Sequence, residues 1–357
     1  MPKPFLCLAP MEGVTDAPFR QIMLKAGKPD VMFTEFTSVD GLFSLGWDHV
    51  KQRLEYEDAE RPLVAQIWGL VPENFFNAAR LLKDLGFDGV DINFGCPVKD
   101  VIKMGACSAM INNKPLAAEL IAATKEGLSG EIPLSVKIRI GFDKPQTEAW
   151  VGFLLEQGIE ALTVHGRTTK ELSKVPADWS EIAKAVKFRN QMKSSTVIIG
   201  NGDVASREDA QQKSQETGVD GVMIGRGVFH DPYLFQKSNA SIAKSLTSSL
   251  HTRVHDSNES LTQRHGALDL MSVSSLSSSE VKGRLKLLLQ HMHLYEAYWA
   301  GSKPFANLKK YFKIYCQGFD NAKELRVQLM ESNTSVDVER ILTTWIASNK
   351  EAERTCD

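Results

Sequence analysis

The stretch GFDGVDI at residues 86–92 returns as GIEALTV at 158–164 and as GVDGVMI at 218–224. Each copy reads as a helix end that turns through glycine into a short apolar strand, so one helix-to-strand unit is repeated. Working outward, eight apolar, largely β-branched segments recur: Phe5–Met11, Val31–Phe36, Leu63–Gly69, Gly89–Gly95, Pro133–Ile140, Ala161–Arg167, Thr196–Gly202 and Gly221–Gly227. Helical patterns lie between them at Ala17–Ala26, Pro72–Leu85, Lys114–Leu128, Thr147–Gln157, Ser180–Phe188 and Ser206–Glu216. Strands alternating with helices of this length imply βαβ units and a parallel sheet. Eight of them favour a closed (β/α)8 TIM barrel over an open doubly wound sheet. The least regular crossover is Ser38–Tyr56.

A chain of 357 residues holds such a barrel and a smaller module besides. Residues 237–280 contain 13 serines and few aromatics, which reads as a flexible linker or insertion. His251, His255 and His265 fall in it without metal-ligand spacing, and no metal is expected. Helical periodicity returns at Leu285–Ala300, Phe305–Gln317, Ala322–Glu331 and Val336–Ser348, four helices with short connections that suggest a small bundle. The expected organisation is a barrel at 1–236, the serine-rich segment at 237–280 and a basic helical domain at 281–357. No apolar run reaches the ~20 residues needed to cross a bilayer, and Phe5–Pro10 is too short for a signal-peptide core. Five scattered cysteines without a C-x-x-C pair fit a reducing compartment, so cytoplasmic residence is the expectation.

In a barrel of this kind the chemistry sits at the C-terminal ends of the strands. Those ends carry Glu12, Glu35, Gln66, Asn93, Lys137, His165, Asn201 and Arg226, a polar residue for every strand and hence a shared pocket. In the fifth strand Val136, Ile138 and Ile140 share the helix-facing side, which turns Lys137 and Arg139 towards the lumen. A lumenal lysine needs negative charge beside it: a reduced flavin near its N1, or an ion pair with Glu12 or Glu35. Thr163, His165 and Arg167 share a face in the sixth strand by the same alternation. Gly200-Asn201-Gly202-Asp203 and Gly225-Arg226-Gly227 end the last two strands, where barrels commonly hold a phosphate. No G-x-G-x-x-G opens the chain, so a mononucleotide flavin is preferred to a tightly held dinucleotide. Cys96 lies just past the fourth strand in Asn93-Phe94-Gly95-Cys96-Pro97. An ordinary thiol, with a pKa of ~8.5, is mostly protonated at neutral pH and can donate a proton. Cys107 reads as a small residue in a tight loop.

These segments resemble the tRNA-dihydrouridine synthases. LAPMEGVTDAPFR (8–20), TEF (34–36), Gln66 in VAQIWG, DINFGCPVK (91–99), SVKIRIG (135–141), VHGRT (164–168), IGNGD (199–203) and VMIGRG (222–227) carry the likeness, in order and across nearly the whole barrel. NLKKYFKIYCQGF resembles the family's helical domain more loosely. The resemblance implies bound FMN, NADPH as reductant and a tRNA uridine as substrate. It implies that Pro10, Met11, Glu12, Gln66, Lys137, His165, Asn201, Gly202, Asp203, Gly225 and Arg226 hold the FMN. Cys96 becomes the proton donor, with Asn93, Lys99, His165 and Arg167 around the uridine. No obligate protein partner is implied. The loop DVIKMGACSAM and the stretch KELSKVPADW depart from the usual pattern. The rival readings are an FMN barrel of the dihydroorotate or dihydropyrimidine dehydrogenase type, acting on a free pyrimidine, and a tRNA-binding protein without catalysis. Residues 281–320 hold seven basic side chains against Glu296 and Asp320, in a chain of net charge −2. Lys309 and Lys310 in that segment are accordingly expected to grip tRNA phosphates.

Overall fold

The computed structural model describes residues 3–237 and 276–354. Eight parallel strands form the barrel: β1 (Phe5–Leu8), β2 (Met32–Phe33, resuming at Thr37–Ser38), β3 (Leu63–Trp68), β4 (Gly89–Phe94), β5 (Leu134–Gly141), β6 (Ala161–Thr168), β7 (Val197–Asn201) and β8 (Gly221–Ile224). Strand β1 pairs with β8 from Phe5 opposite Gly221 to Leu8 opposite Ile224. Its other edge meets β2 through the Cys7–Val31 bridge, with Leu8 N donating to Val31 O at 3.0 Å, and the barrel closes.

The repeated sequence has a physical cause. Gly86, Gly158 and Gly218 all adopt positive φ (82°, 63° and 74°), the left-handed turn that ends a helix without a Cβ clash. Two residues on, a carboxylate accepts an N–H at the start of the preceding strand: Leu63 N to Asp88, Leu134 N to Glu160 and Ile198 N to Asp220, each at 2.8 Å. Asp30 does the same for Leu6 N at 2.8 Å. These carboxylates satisfy backbone donors at the bottom of the barrel that sheet pairing leaves unmatched.

Several expected boundaries shift. β1 and β8 stop at Leu8 and Ile224, earlier than expected, and Gly225 leads instead into a 3-10 turn at Arg226–Phe229. β2 is split: Phe33 opposes Val64 while Thr37 opposes Ile67, which leaves an extra residue bulged around Glu35. The crossover after it is two short helices, Val39–Leu42 and Trp47–Val50, and a 3-10 turn at Lys51–Leu54, because Gly41 and Gly46 interrupt the helical pattern. The first helix of the C-terminal domain starts at Ser278, earlier than the expected boundary at 281. Ser277 and Glu280 cap each other's backbone there in a capping box. The rest of the serine-rich segment, 238–275, lies outside the described residues. Phe305–Tyr311 is a 3-10 turn leading into a helix at Phe312–Tyr315, followed by helices Ala322–Glu331 and Ser335–Arg354.

Two apolar clusters fill the molecule. Phe5, Cys7, Ala9, Val31, Phe33, Ile199 and Met223 form the smaller one, all contributed by barrel strands and their ends. The larger one lies between strands and outer helices and runs on into the helical domain. There Phe19, on the first barrel helix (Ala17–Ala26), stacks on Tyr311 at 5.5 Å and meets His291 at 5.8 Å. Barrel and helical domain therefore share one core.

Candidate active site

A cavity of about 490 Å³ opens at the C-terminal face of the barrel. That volume lies in the ~300–1,000 Å³ range of small-molecule and cofactor sites. Its lining includes Pro10, Met11, Lys137, His165, Arg167, Asn201, Gly202, Asp203, Gly225 and Arg226, ten of the residues expected there from sequence. Strand register explains the grouping: Asn93 stands opposite Lys137, Lys137 opposite Thr163, and His165 opposite Asn201. Ser173 and His230 also line the cavity, and nothing in the sequence pattern marked them.

Lys137 is half-buried on the cavity wall and makes no side-chain hydrogen bond or ion pair to any described residue. Burial, then the Arg139 guanidinium, push its pKa from 10.5 to about 8, against the pull of Asp91 and Cys96. The ion pair with Glu12 or Glu35 is not formed: Glu12 binds Arg53 at 2.6 Å, and Glu35 accepts from Gly13 N at 2.5 Å. His165 is kept neutral, its pKa driven well below 6.5 by burial and by Lys137, Arg139, Arg167 and Arg226. Arg167 Nη1 lies 3.1 Å from His165 Nε2. A guanidinium only donates, so Nε2 accepts and the imidazole proton sits on Nδ1. Asp203 is ion-paired to Arg167 and to Arg226, at 3.1 Å in the second case, and accepts from Ala177 N at 2.8 Å. Gly202 takes φ 130°, and a Cβ there would sit 2.5 Å from Ala177 Cβ. The loops after β7 and β8 are thus a glycine-lined cradle with a half-exposed arginine on its rim, the chemistry that a phosphate requires.

Deeper in the lumen, a chain of hydrogen bonds reaches the thiol loop. Ser135 Oγ and Gln66 Nε2 donate to Asp91 at 2.5 and 2.6 Å, and Asn93 Nδ2 donates to Gln66 Oε1 at 3.0 Å. Asn93 Oδ1 then accepts from Gly95 N at 3.0 Å and Cys96 N at 2.9 Å. Gln66 and Asn93 hold this scaffold together and do not line the cavity. Arg139, singled out only by its face, clasps the same loop: it donates to Gly95 O (2.9 Å), Thr168 O (3.0 Å) and Leu172 O (2.8 Å).

Cys96 itself is 8% exposed. A hydrogen bond from the Cys107 thiol, the Val98 N–H and the charges of Arg139 and Lys137 outweigh burial and lower its pKa from 9.0 to about 7. The thiol expected to be mostly protonated at neutral pH is therefore brought closer to ionisation there. Cys107 is buried at φ 53°, a partner for Cys96 as well as a small residue in a tight turn. Lys99 begins the short helix Lys99–Lys103 beyond Cys96 and is exposed.

The two lysines expected to hold RNA are engaged within the chain. Lys310 Nζ donates to Gly13 O, and Lys309 Nζ donates to Met330 O at 2.8 Å. Arg284 and Lys303 also face the barrel, at Asp231 (3.2 Å) and Asp16 (3.9 Å). Of the seven basic residues, Lys282, Lys286 and Lys313 are exposed without a described ion pair. Among the described residues no group of three or more His, Cys, Asp or Glu is placed to hold a metal, and no helix is long and apolar enough to cross a membrane.

A TIM barrel with a phosphate-type cradle, a lumenal lysine and a thiol loop after its fourth strand defines the class. A family model described as "Dihydrouridine synthase (Dus)" matches residues 7–352. A probable tRNA-dihydrouridine synthase of Staphylococcus epidermidis is 38% identical over 351 residues, 97% of this chain and 95% of that protein. Probable tRNA-dihydrouridine synthase 2 of Bacillus subtilis is 37% identical, covering 96% and 94% respectively. The chain belongs to the dihydrouridine synthase family. Among solved structures, histamine dehydrogenase from Rhizobium sp. 4-9 overlays with a TM-score of 0.50 at 12% identity, over 81% of this chain and 48% of that one, a likeness of fold.

Proposed function

We propose that this protein reduces the C5–C6 double bond of a uridine in tRNA, with FMN bound at the barrel mouth and NADPH as the reductant. The observation that carries this is the Cys96 thiol, set with a pKa near neutrality beside the lumenal cation Lys137. Unpartnered Lys137 and the cradle at Gly202, Asp203, Gly225 and Arg226 fit an anionic, phosphorylated cofactor. Bound FMN would supply the hydride for C6 of the uracil ring. Lys137 stabilises negative charge at the cavity floor, and Arg226 supplies a cation to the phosphate. Neutral His165 offers an N–H donor without adding charge. Cys96 gives its proton to C5, and its loop is held in place by Asn93 and Arg139. A general acid is most effective when its pKa lies near the working pH, which is where Cys96 sits. A cytoplasmic setting suits a tRNA substrate and reduced thiols.

The test is direct. The purified protein is expected to be yellow with one noncovalent FMN, and Cys96→Ala is expected to keep FMN and its reduction by NADPH. Turnover of tRNA in that variant should fall by ~10²–10⁴, the worth of a general acid. Protein that takes up no FMN overturns the reading, and Cys96→Ala turning over tRNA at the wild-type rate removes the thiol from the chemistry.

A further inference from the structure

We propose that the helical domain is a structural part of the cofactor cavity, with Tyr311 and Lys310 acting as positioning residues for the Pro10–Val14 loop that forms one of its walls. The proposal deepens the flavin reading above and rests on it for its cofactor.

Pro10 and Met11 line the cavity, while Gly13 and Val14 lie on the loop's outer side. The loop is a tight turn: Val14 N and Thr15 N both donate to Met11 O at 3.0 Å, and Met11 N donates to Thr15 Oγ1 at 3.0 Å. Gly13, at φ 68°, gives the turn its left-handed residue. With the turn so closed, a shift of Gly13 moves Met11. Among the described residues, nothing in the barrel satisfies the carbonyls of Gly13 and Val14. The helical domain does: Tyr311 Oη lies 3.1 Å from Gly13 O and 3.0 Å from Val14 O, and Lys310 Nζ also donates to Gly13 O. From the barrel side, Glu35 takes the Gly13 N–H at 2.5 Å. The peptide on either side of Gly13 is thus held by a carboxylate from the β2 bulge and a phenol from another domain. Tyr311 is 1% exposed and stacked on Phe19, so its hydroxyl is fixed in place. These contacts also give Lys310 a partner within the chain.

A merely structural interface would tolerate loss of any one hydrogen bond equally well; a clamp would not. Tyr311→Phe keeps the stacking on Phe19 and removes only the donor. Tyr298→Phe is the control, because Tyr298 Oη bonds Glu57 at 3.0 Å across the same interface without touching the loop. Two measurements on the full chain separate the possibilities. In FMN titrations of the apoprotein, Tyr311→Phe is expected to raise Kd about five- to tenfold, the effect of one buried hydrogen bond, with Tyr298→Phe unchanged. In amide hydrogen exchange, Val14 and Thr15 are expected to lose protection in Tyr311→Phe alone. Unchanged FMN affinity and exchange in Tyr311→Phe overturn the clamp. Equal losses in both variants also overturn it, reducing Tyr311 to general packing. Wild-type protein that binds no FMN overturns the cofactor reading, while the exchange result still decides whether Tyr311 holds the loop.

Discussion

Replacing Cys107 with alanine isolates the cause of the unusual thiol at Cys96. The Cys107 thiol makes the largest favourable contribution to holding Cys96 at about 7 in place of 9.0. Burial, Val98, Arg139 and Lys137 remain in the variant, and burial acts in the opposite direction to the other three. Each tenfold change in ionisation is worth ~1.4 kcal/mol, so the present environment favours the thiolate by roughly 3 kcal/mol. Losing its largest favourable part is expected to raise the Cys96 pKa. Alanine fits the site, since Cys107 is buried and alanine keeps the Cβ already present at its positive φ. The assay is the pH dependence of alkylation by iodoacetamide in a Cys356→Ser background. The remaining cysteines, Cys7 and Cys316, are fully buried. Alkylation needs the thiolate, so its midpoint marks the pKa: near 7 in the parent, higher in Cys107→Ala, with slower reaction at pH 7. Proton donation needs the thiol, so tRNA turnover should fall as pH rises through about 7 in the parent and through a higher pH in the variant. A midpoint that stays put or moves down refutes the assignment of Cys107 as the cause.

Other expectations follow from the same geometry. Arg226→Ala removes a charge-assisted phosphate contact and should raise the FMN Kd about tenfold in a fluorescence titration. Arg139→Met strands two buried carbonyls, at Gly95 and Thr168, and a partly buried one at Leu172, and should cost ~2–4 kcal/mol, seen as a lower urea midpoint. Ending the chain before Ser277 uncovers Phe19 and the helix face around it, at ~1.5–3 kcal/mol per large apolar side chain. The severed barrel should therefore melt earlier or aggregate in light-scattering measurements. Replacing Lys282, Lys286 and Lys313 together with alanine should flatten the salt dependence of tRNA binding by at most about 3 in slope, while Lys309→Ala changes it little.

The barrel was legible because its repeat is enforced chemically at each return. A glycine must end the helix and a carboxylate must take the orphan N–H of the strand before it, so Gly86, Gly158 and Gly218 leave a readable echo. Strand alternation likewise placed Lys137, Arg139 and His165 on the inner face. What alternation does not encode is which inward group meets the cavity and which is consumed as scaffold. Gln66 and Asn93 point inward and are used up by Asp91 and the backbone of Cys96. The pairing of Cys96 with Cys107 depends on the fold of the loop between them, and no periodicity reports it. The charge count is coarse for a related reason. Lysines in a basic segment look alike in sequence, yet Lys303 and Lys310 are directed at the barrel and Lys313 at solvent.

The position of the first strand has a consequence for how the molecule is made. β1 finds its β8 partner only when residues 221–224 exist, and the Gly13 carbonyl meets Tyr311 almost ninety residues later still. During synthesis β1 therefore emerges long before its β8 edge can be paired. Until then Phe5, Leu6, Cys7 and Leu8 present an apolar edge with open backbone donors and acceptors. Sequence separations this large slow folding through loop-closure entropy. The Gly13 and Val14 carbonyls on the outer side of the cavity wall likewise stay open until residue 311 has been made.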